Sequence, residues 1–295
     1  MSTPTAQLTF ARGTLLLQGV HPKAFRHAFP SQEPWVWDGR VGAWRCDAIH
    51  YGAVREAIKK GIVGVKDNVP EWQRVEWPRA NLPELRPDQR DAMNAWMSGR
   101  KGVIVMPTGT GKTEVALAIL RQTAVSALVV SPVRDLMYQW HRRILNGLGC
   151  DSGVIGDSIF NLRPVSVTTY DSACIHVESL GSQFGLIIFD ECHHLPGPIR
   201  RDAARMCAAP MRLGLTATPE RSDGKHVDMS WLIGPTVYEM PLSAARGKTL
   251  ADYEVVRIPV HLSAEEQARY DRLSATVRRY MYERRKRDPE FSWED

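Results

Sequence analysis

The sequence predicts an α/β fold, a parallel sheet with helices on both faces preceded by a small α+β domain, and three observations carry that prediction. Beyond residue 80, short β-branched runs alternate with helical patterns: "GVIVM" at 102–106, "SALVVSP" at 126–132, "VSVTTYD" at 165–171, "GLIIFDE" at 185–191 and "RLGLTAT" at 212–218. Such continuous runs suit strands covered on both faces. Each run also ends in a polar cluster, and in sheets of this kind ligands gather at the carboxyl ends of the strands. The third observation is a change of texture near residue 80, by which point five of the nine tryptophans have appeared and prolines interrupt regular structure.

Taken in order, the first 80 residues contain a strand-like "TLLLQGV", an aromatic stretch "WVWDGRVGAWRCD" and a helical "YGAVREAIKKG". Trp35, Trp37 and Trp44 have two readings: the core of a small domain or, with Arg40 and Arg45 beside them, stacking faces for unpaired bases. "VPEWQRVEWPRANLPELRP" closes this region and places a boundary at 80. The α/β region then covers 81–243, and a connecting segment with a charged helix covers 244–295. The final "LSAEEQARYDRLSATVRRYMYERRKRDPEFSWED" reads as helix, its "ERRKR" either a phosphate contact or a solvated face.

Lys and Arg outnumber Asp and Glu by 38 to 33, a net charge of +5 compatible with a polyanionic partner. Five scattered cysteines without CxxC spacing argue against a zinc ribbon or a disulfide framework and fit a reducing compartment. No apolar run approaches a bilayer span and no signal-like stretch opens the chain, so a soluble, intracellular protein with no membrane partner is expected.

Two clusters carry chemistry. In "PTGTGKT" (107–113), Gly109 and Gly111 allow the tight backbone that, with Thr108 and Thr110, turns N–H groups toward phosphate oxygens at the start of a helix. Lys112 reaches the β- and γ-phosphates, and Thr113 is a Mg²⁺ ligand. Met106 stands where the strict phosphate-loop pattern has its first glycine. In "FDECHH" (189–194), Asp190 provides the second anchor for Mg²⁺ and Glu191 polarises the attacking water. The remaining histidines lack ligand spacing, so no further metal site is expected.

With these clusters in order, the chain resembles superfamily 2 helicases and translocases, whose first RecA-like lobe carries them. "LRPDQ" (85–89) resembles the adenine-reading segment, "SPVRDLMYQW" (131–140) motif Ia, "TTYDS" (168–172) motif Ib and "LTATP" (215–219) motif III. Within the superfamily the resemblance is to the XPB type of DNA repair and transcription initiation, through "RLGLTATPERSDGKHVDMSWLIGPTVYEM" (212–240). The resemblance implies ATP with Mg²⁺, and Gln89 and Arg86 at the adenine. His193 would link the nucleotide site to Thr216 and Thr218. Pro132, Arg134, Thr168 and Thr169 would grip the phosphates of one DNA strand. Arg221 and Asp223 fall at a turn the family uses in strand separation, where Ser222 replaces the family's central acid. Cys192 stands where relatives often have valine and reads as a buried filler. The first 80 residues occupy the place of a DNA-sensing domain.

Motors of this superfamily bind ATP between two RecA-like lobes, the second supplying arginines to the transition state. The stretch after motif III is too short for that lobe, so the chain reads as half a motor whose second lobe comes in cis or in trans. The expected partners are DNA, contacted with little sequence preference, that second lobe, and a repair or nuclease protein. Two rival readings are a nucleotide-dependent binding module without efficient hydrolysis and a restriction- or phage-type double-strand translocase.

Overall fold

The computed structural model describes residues 6–31, 33–62, 64–69, 72–218, 228–242, 258–259 and 261–287. The chain divides into two compact units, Met1–Ala251 and Asp252–Asp295.

The first unit contains two sheets. The smaller comprises β1 (Gln7–Ala11), β2 (Thr14–Gln18), β3 (Val36–Asp38), β4 (Ala43–Asp47) and β5 (Lys66–Asp67), in the order β3-β4-β2-β1-β5. Its pairs are antiparallel except β1 with β5. Leu15 and Leu17 point into the core while their neighbours on β2 stay partly open, the alternation of a sheet with one wet face. Helices α1 (Pro22–Ala28) and α2 (Tyr51–Gly61) cover the dry face, α2 through Tyr51, Val54 and Ile58 at helical spacing. Two of the three tryptophans pack as the core reading expects. Trp35 lies in this core, Trp44 stacks on Phe25 with centroids 4.2 Å apart, and Trp37 remains 54% exposed.

The larger sheet is built from β6 (Lys101–Val105), β7 (Ala127–Ser131), β8 (Gly153–Gly156), β9 (Ile159–Asn161), β10 (Val165–Thr169), β11 (Leu186–Asp190), β12 (Met211–Thr216) and β13 (Thr236–Glu239). Their order is β13-β6-β12-β11-β7-β10-β8-β9, parallel throughout except for the β8–β9 hairpin at one edge. Its other helices are α3 (Pro87–Gly99), α4 (Lys112–Thr123), α5 (Arg134–Leu148), α6 (Tyr170–Leu180), α7 (Asp202–Arg205) and α8 (Asp228–Leu232). Successive strand residues serve opposite faces. Ile104, Val129 and Ile188 join one core with Trp96, Leu117 and Trp140 from α3, α4 and α5; Val103, Val130, Ile187 and Phe189 join another with Val177 of α6. This two-sided burial is why the runs read as uninterrupted apolar segments.

The proline-rich stretch near residue 80 is pinned to the larger sheet's surroundings. Val75 N–H donates to Ala124 O, Ser126 N–H to Gln73 O and Asn81 N–H to Gly147 O. The N-terminal domain docks beside the segment that leads into β12. Arg205 donates to Asp47 Oδ2 at 2.8 and 3.1 Å, Ala208 enters the small domain's core, and Gly13 lies so close to Met206 that a side chain there would collide with it. The N-terminal domain therefore sits toward the amino ends of the strands, away from the edge where the motif clusters emerge.

Arg212, on β12, is buried with its guanidinium among backbone carbonyls. Its Nε donates to Ala209 O at 3.1 Å, Nη1 to Ala204 O at 3.1 Å and Leu232 O at 3.0 Å, and Nη2 to Cys207 O. It thereby ties the docking segment to the sheet.

The second unit is described by its helix α9 (Ala264–Arg287). A capping box starts it: Glu266 Oε2 accepts the Ser263 N–H at 2.8 Å, and Ser263 Oγ accepts the Glu266 N–H at 3.3 Å. Tyr270, Leu273 and Tyr282 are exposed along it, and Arg279 pairs with Glu283 four residues on.

Candidate nucleotide and nucleic-acid site

Strand register places the predicted residues at one level. Thr168 and Phe189 both lie opposite Val130, Asp190 opposite Leu215, and Thr216 opposite Val105. The strand ends β6, β12, β11, β7 and β10 thus present the phosphate loop, Thr216, Asp190, Ser131 and Thr169 side by side. Helices α4, α5 and α6 begin at this edge, so their positive N-terminal ends converge there as well.

The phosphate loop is held open by its glycines. Gly109 and Gly111 have φ of 83° and 86°, and a Cβ at Gly111 would run into the Gln89 amide. Thr108 and Gly109 are exposed at the tip, while Thr110 is buried with its hydroxyl donating to Pro107 O at 2.6 Å. Gln89 is turned onto the loop: its Nε2 donates to Thr110 O at 3.0 Å and its Oε1 accepts the Arg86 N–H at 3.1 Å. Arg86 also reaches Thr110 O, at 2.6 Å, and forks onto Asp88. Both residues act here as braces of the loop.

Lys112 is 9% exposed, and its Nζ donates to Met106 O at 3.0 Å. Burial pushes its pKa down, while the nearby Glu191 and Asp190 push it up. Met106 itself is fully buried, so the position that departs from the strict glycine pattern is a core position. Thr113 follows on the first turn of α4, partly exposed.

Asp190 ends β11. Its Oδ1 accepts the Glu191 N–H at 3.1 Å, and its Oδ2 accepts the indole N–H of Trp140 at 2.8 Å. Burial pushes its pKa up, opposed by the hydrogen bond from Trp140. Glu191 adopts a left-handed backbone, φ 46°, an uncommon conformation for a residue with a side chain and of the kind that concentrates at functional sites. His193 Nδ1 lies 3.0 Å from Thr216 Oγ1 and 3.4 Å from Glu191 Oε2. The Thr216 hydroxyl donates to Thr218 O at 3.0 Å and accepts the Thr218 N–H. His193 Nδ1 shares the same hydroxyl, donating to it or accepting from it according to the imidazole tautomer. Cys192 is fully buried, and burial raises its thiol pKa well above the usual value.

The glycine cradle, the buried lysine and a carboxylate with open lone pairs form a donor set suited to a nucleotide triphosphate with a divalent cation.

The residues predicted to meet DNA are less uniform. Arg134 starts α5, 71% exposed, and donates to Asp157 Oδ1 at 2.7 Å; Tyr138 donates to Asp157 Oδ2 at 2.9 Å. Pro132 is partly exposed. Thr169 caps α6 by accepting the Ser172 N–H at 3.2 Å. Thr168 is buried and donates to Ile155 O at 2.7 Å, so its side chain is not brought to the surface. Arg221 and Asp223 lie outside the described residues.

Residues 8–69 match the xeroderma pigmentosum group B helicase damage recognition domain, and residues 82–221 match the res subunit of type III restriction enzymes. The chain is similar to XPB-type helicases in both of these regions. It is 40% identical over 248 residues to the DNA 3'-5' translocase XPB2 of Sulfurisphaera tokodaii, covering 84% of this chain and 56% of that one. It is 33% identical over 199 residues to the DNA 3'-5' helicase XPB of Mycobacterium tuberculosis, covering 63% of this chain and 36% of that one. The chain thus spans between about a third and just over half the length of these curated relatives. Among solved structures, the UvsW helicase from Bacteriophage T4 aligns with TM-score 0.46 and 15% identity over 79% of this chain and 99% of that one.

Sequence reasoning did not assign Trp140, Tyr170, Asp157 or Arg212. The first two stand inside quoted motifs without a role of their own. Asp157 takes partners 19 and 23 positions away, and Arg212 is satisfied by backbone carbonyls 3 to 20 positions away, which no side-chain pattern records.

Proposed function

We propose that the chain is the nucleotide-binding and DNA-gripping part of an ATP-dependent DNA translocase of the XPB type, acting with a second motor lobe in cis or in trans. The observation that carries this reading is the convergence of Lys112, Asp190, Glu191, His193 and Thr216 at the ends of adjacent strands.

In this reading the loop N–H groups and the Lys112 ammonium hold the phosphates, and Gln89 and Arg86 keep the loop in shape beside the adenine. Thr113 and Asp190 hold Mg²⁺. Bound there, Mg²⁺ would neutralise charge developing on the phosphate oxygens. Glu191, fixed by its left-handed turn, orients water and takes its proton. His193 carries the state of that site to Thr216 and Thr218 through its Nδ1 hydrogen bond. Arg134 and the N-termini of α5 and α6 contact DNA phosphates, which gives grip without sequence preference. A repair or nuclease protein is the expected further partner.

The test is phosphate release from ATP with and without duplex DNA, in the presence of a second lobe from a relative. Glu191→Gln should bind ATP as the parent does and lose about 10²- to 10⁴-fold in turnover, the usual worth of a positioned base. Turnover within threefold of the parent would remove Glu191 from this role. Phosphate release indifferent to DNA in every lobe combination would favour the binding-module reading instead.

A further inference from the structure

Asp190 receives two hydrogen bonds from helices that begin at the proposed DNA edge. The Trp140 indole N–H donates to its Oδ2 at 2.8 Å, from α5, six residues beyond Arg134. The Tyr170 hydroxyl donates to its backbone oxygen at 3.0 Å, from the first residue of α6, immediately after the capping Thr169. Both aromatics are almost completely buried, at 2% and 0% exposure.

Packing alone does not ask for these donors. Trp140 continues the buried face of α5 formed by Met137, Ile144 and Leu148, where an apolar side chain meets the need. Tyr170 lies in a core with Phe184 and Phe189, where phenylalanine would pack in its place. A buried N–H or O–H is costly unless partnered, and both are partnered by the same residue. Trp140 occupies one lone pair of Oδ2 and the Glu191 N–H occupies one on Oδ1. Together they fix the rotation of the carboxylate and leave its other lone pairs for a cation.

We propose that Trp140 and Tyr170 are positioning residues that couple the strand-gripping ends of α5 and α6 to the metal-holding carboxylate Asp190. The inference rests on the functional reading above. Arg134 and Trp140 ride on one helix, so a phosphate that pulls on the first turn of α5 moves the indole with it. Tyr170 does the same for α6 through the backbone of Asp190. Two routes, one to the side chain and one to the main chain, make the aspartate sensitive to both grips at once. By linkage, DNA changes the affinity for the magnesium nucleotide, and the magnesium nucleotide changes the affinity for DNA by the same factor.

The experiment is calorimetric titration of the whole chain with ATP, in EDTA and in Mg²⁺, each with and without a duplex of arbitrary sequence. For the parent, Mg²⁺ should tighten ATP binding and duplex should alter that increment. For Trp140→Phe, ATP affinity in EDTA should stay within twofold of the parent while the Mg²⁺-dependent gain falls about 10- to 100-fold, the loss typical when the partner behind a metal ligand is removed. Tyr170→Phe removes one oxygen from the core, keeps the Mg²⁺ increment more fully and should lose the response to duplex; it carries the test if Trp140→Phe does not fold. Parent-like Mg²⁺ increments and duplex responses in both folded variants would overturn the proposal. Asp190→Asn separates it from its premise. If Asp190→Asn keeps the Mg²⁺ increment, the assignment of Asp190 to the metal fails and the proposal fails with it. If Asp190→Asn abolishes the increment and the aromatic variants do not alter it, the assignment stands and only the coupling is overturned.

Discussion

The two sheets of the first unit dispose of their polar groups in opposite ways. The N-terminal sheet has one wet face, and its charge is settled locally: Asp38, nearly buried, is shared by Arg40 and Arg45 on the same hairpin. The eight-stranded sheet buries both faces, so its polar groups are displaced to the strand ends, where two different edges result. Toward the amino ends, Arg205, Arg212 and Ala208 serve docking and packing. At the carboxyl ends, Lys112, Asp190, Glu191 and His193 are held close together by neighbouring strand ends. The comparison teaches that in a sheet buried on both sides, chemistry is placed by topology, and that one edge supports what the other edge does.

The comparison breaks most visibly at Arg212. Arg212→Met removes the donor shared by the carbonyls of Ala204, Cys207, Ala209 and Leu232; Ala204 O keeps the Cys207 N–H at 3.3 Å, and each carbonyl left without a donor costs about 1–3 kcal/mol. Urea denaturation should show a loss of at least about 3 kcal/mol, and a loss below about 1 kcal/mol would mean that water or relaxation replaces the guanidinium. Lys112→Ala at the opposite edge removes one donor, from Met106 O, so it should cost no more than about 1–3 kcal/mol of stability; it should weaken ATP binding by roughly tenfold or more, the effect of about 1.5–3 kcal/mol for a charge-assisted bond. Equal ATP affinities by calorimetry would remove the phosphate-loop assignment.

A smaller effect is expected at the hairpin tip, where Asp157 occupies Arg134 and Tyr138. Both partners are solvent-accessible, so the pair is worth no more than about 1 kcal/mol. Asp157→Asn should tighten DNA binding a few-fold and steepen the dependence of log affinity on log salt by up to about 0.9 if Arg134 gains one phosphate. An unchanged slope would place Arg134 off the DNA path. The gentlest test concerns Asp38. The Arg40 guanidinium beside it holds its carboxyl down at about 2, against burial, which acts in the other direction. Because the folded-state value is depressed, the stabilisation is present above the ordinary value of 3.8 and is lost as pH falls toward about 2. Melting temperatures of the parent and Asp38→Asn should differ at pH 5 and converge near pH 2, and a pH-independent difference would show that the amide change acts by packing alone.

The five central strands of the larger sheet were legible because burial on both faces leaves an unbroken apolar run, and the observed limits differ from the sequence reading by a residue or two. "PTGTGKT" and "FDECHH" stood out for a different reason: the chemistry proposed for them needs fixed residue types at fixed spacing. The antiparallel β9 was not read, since its exposed Ile159 and Phe160 carry no alternation. Trp35, Trp37 and Trp44 were left with two readings, and packing decided for the core in Trp35 and Trp44 through Phe29 and Phe25, which belong to a helix elsewhere in sequence and its cap.

The sequence by itself determined that a parallel sheet ends in a glycine-rich loop and an acidic pair, because strand burial and turn-forming residues are both written in local pattern. Only the tertiary structure decided that Gln89 braces the loop, that Asp157 occupies Arg134, that Trp140 and Tyr170 converge on Asp190, and that the N-terminal domain docks toward the far edge. Those contacts join residues from about twenty to well over a hundred positions apart. A hydrogen bond between distant residues depends on where whole helices and strands come to rest, and no local periodicity records that.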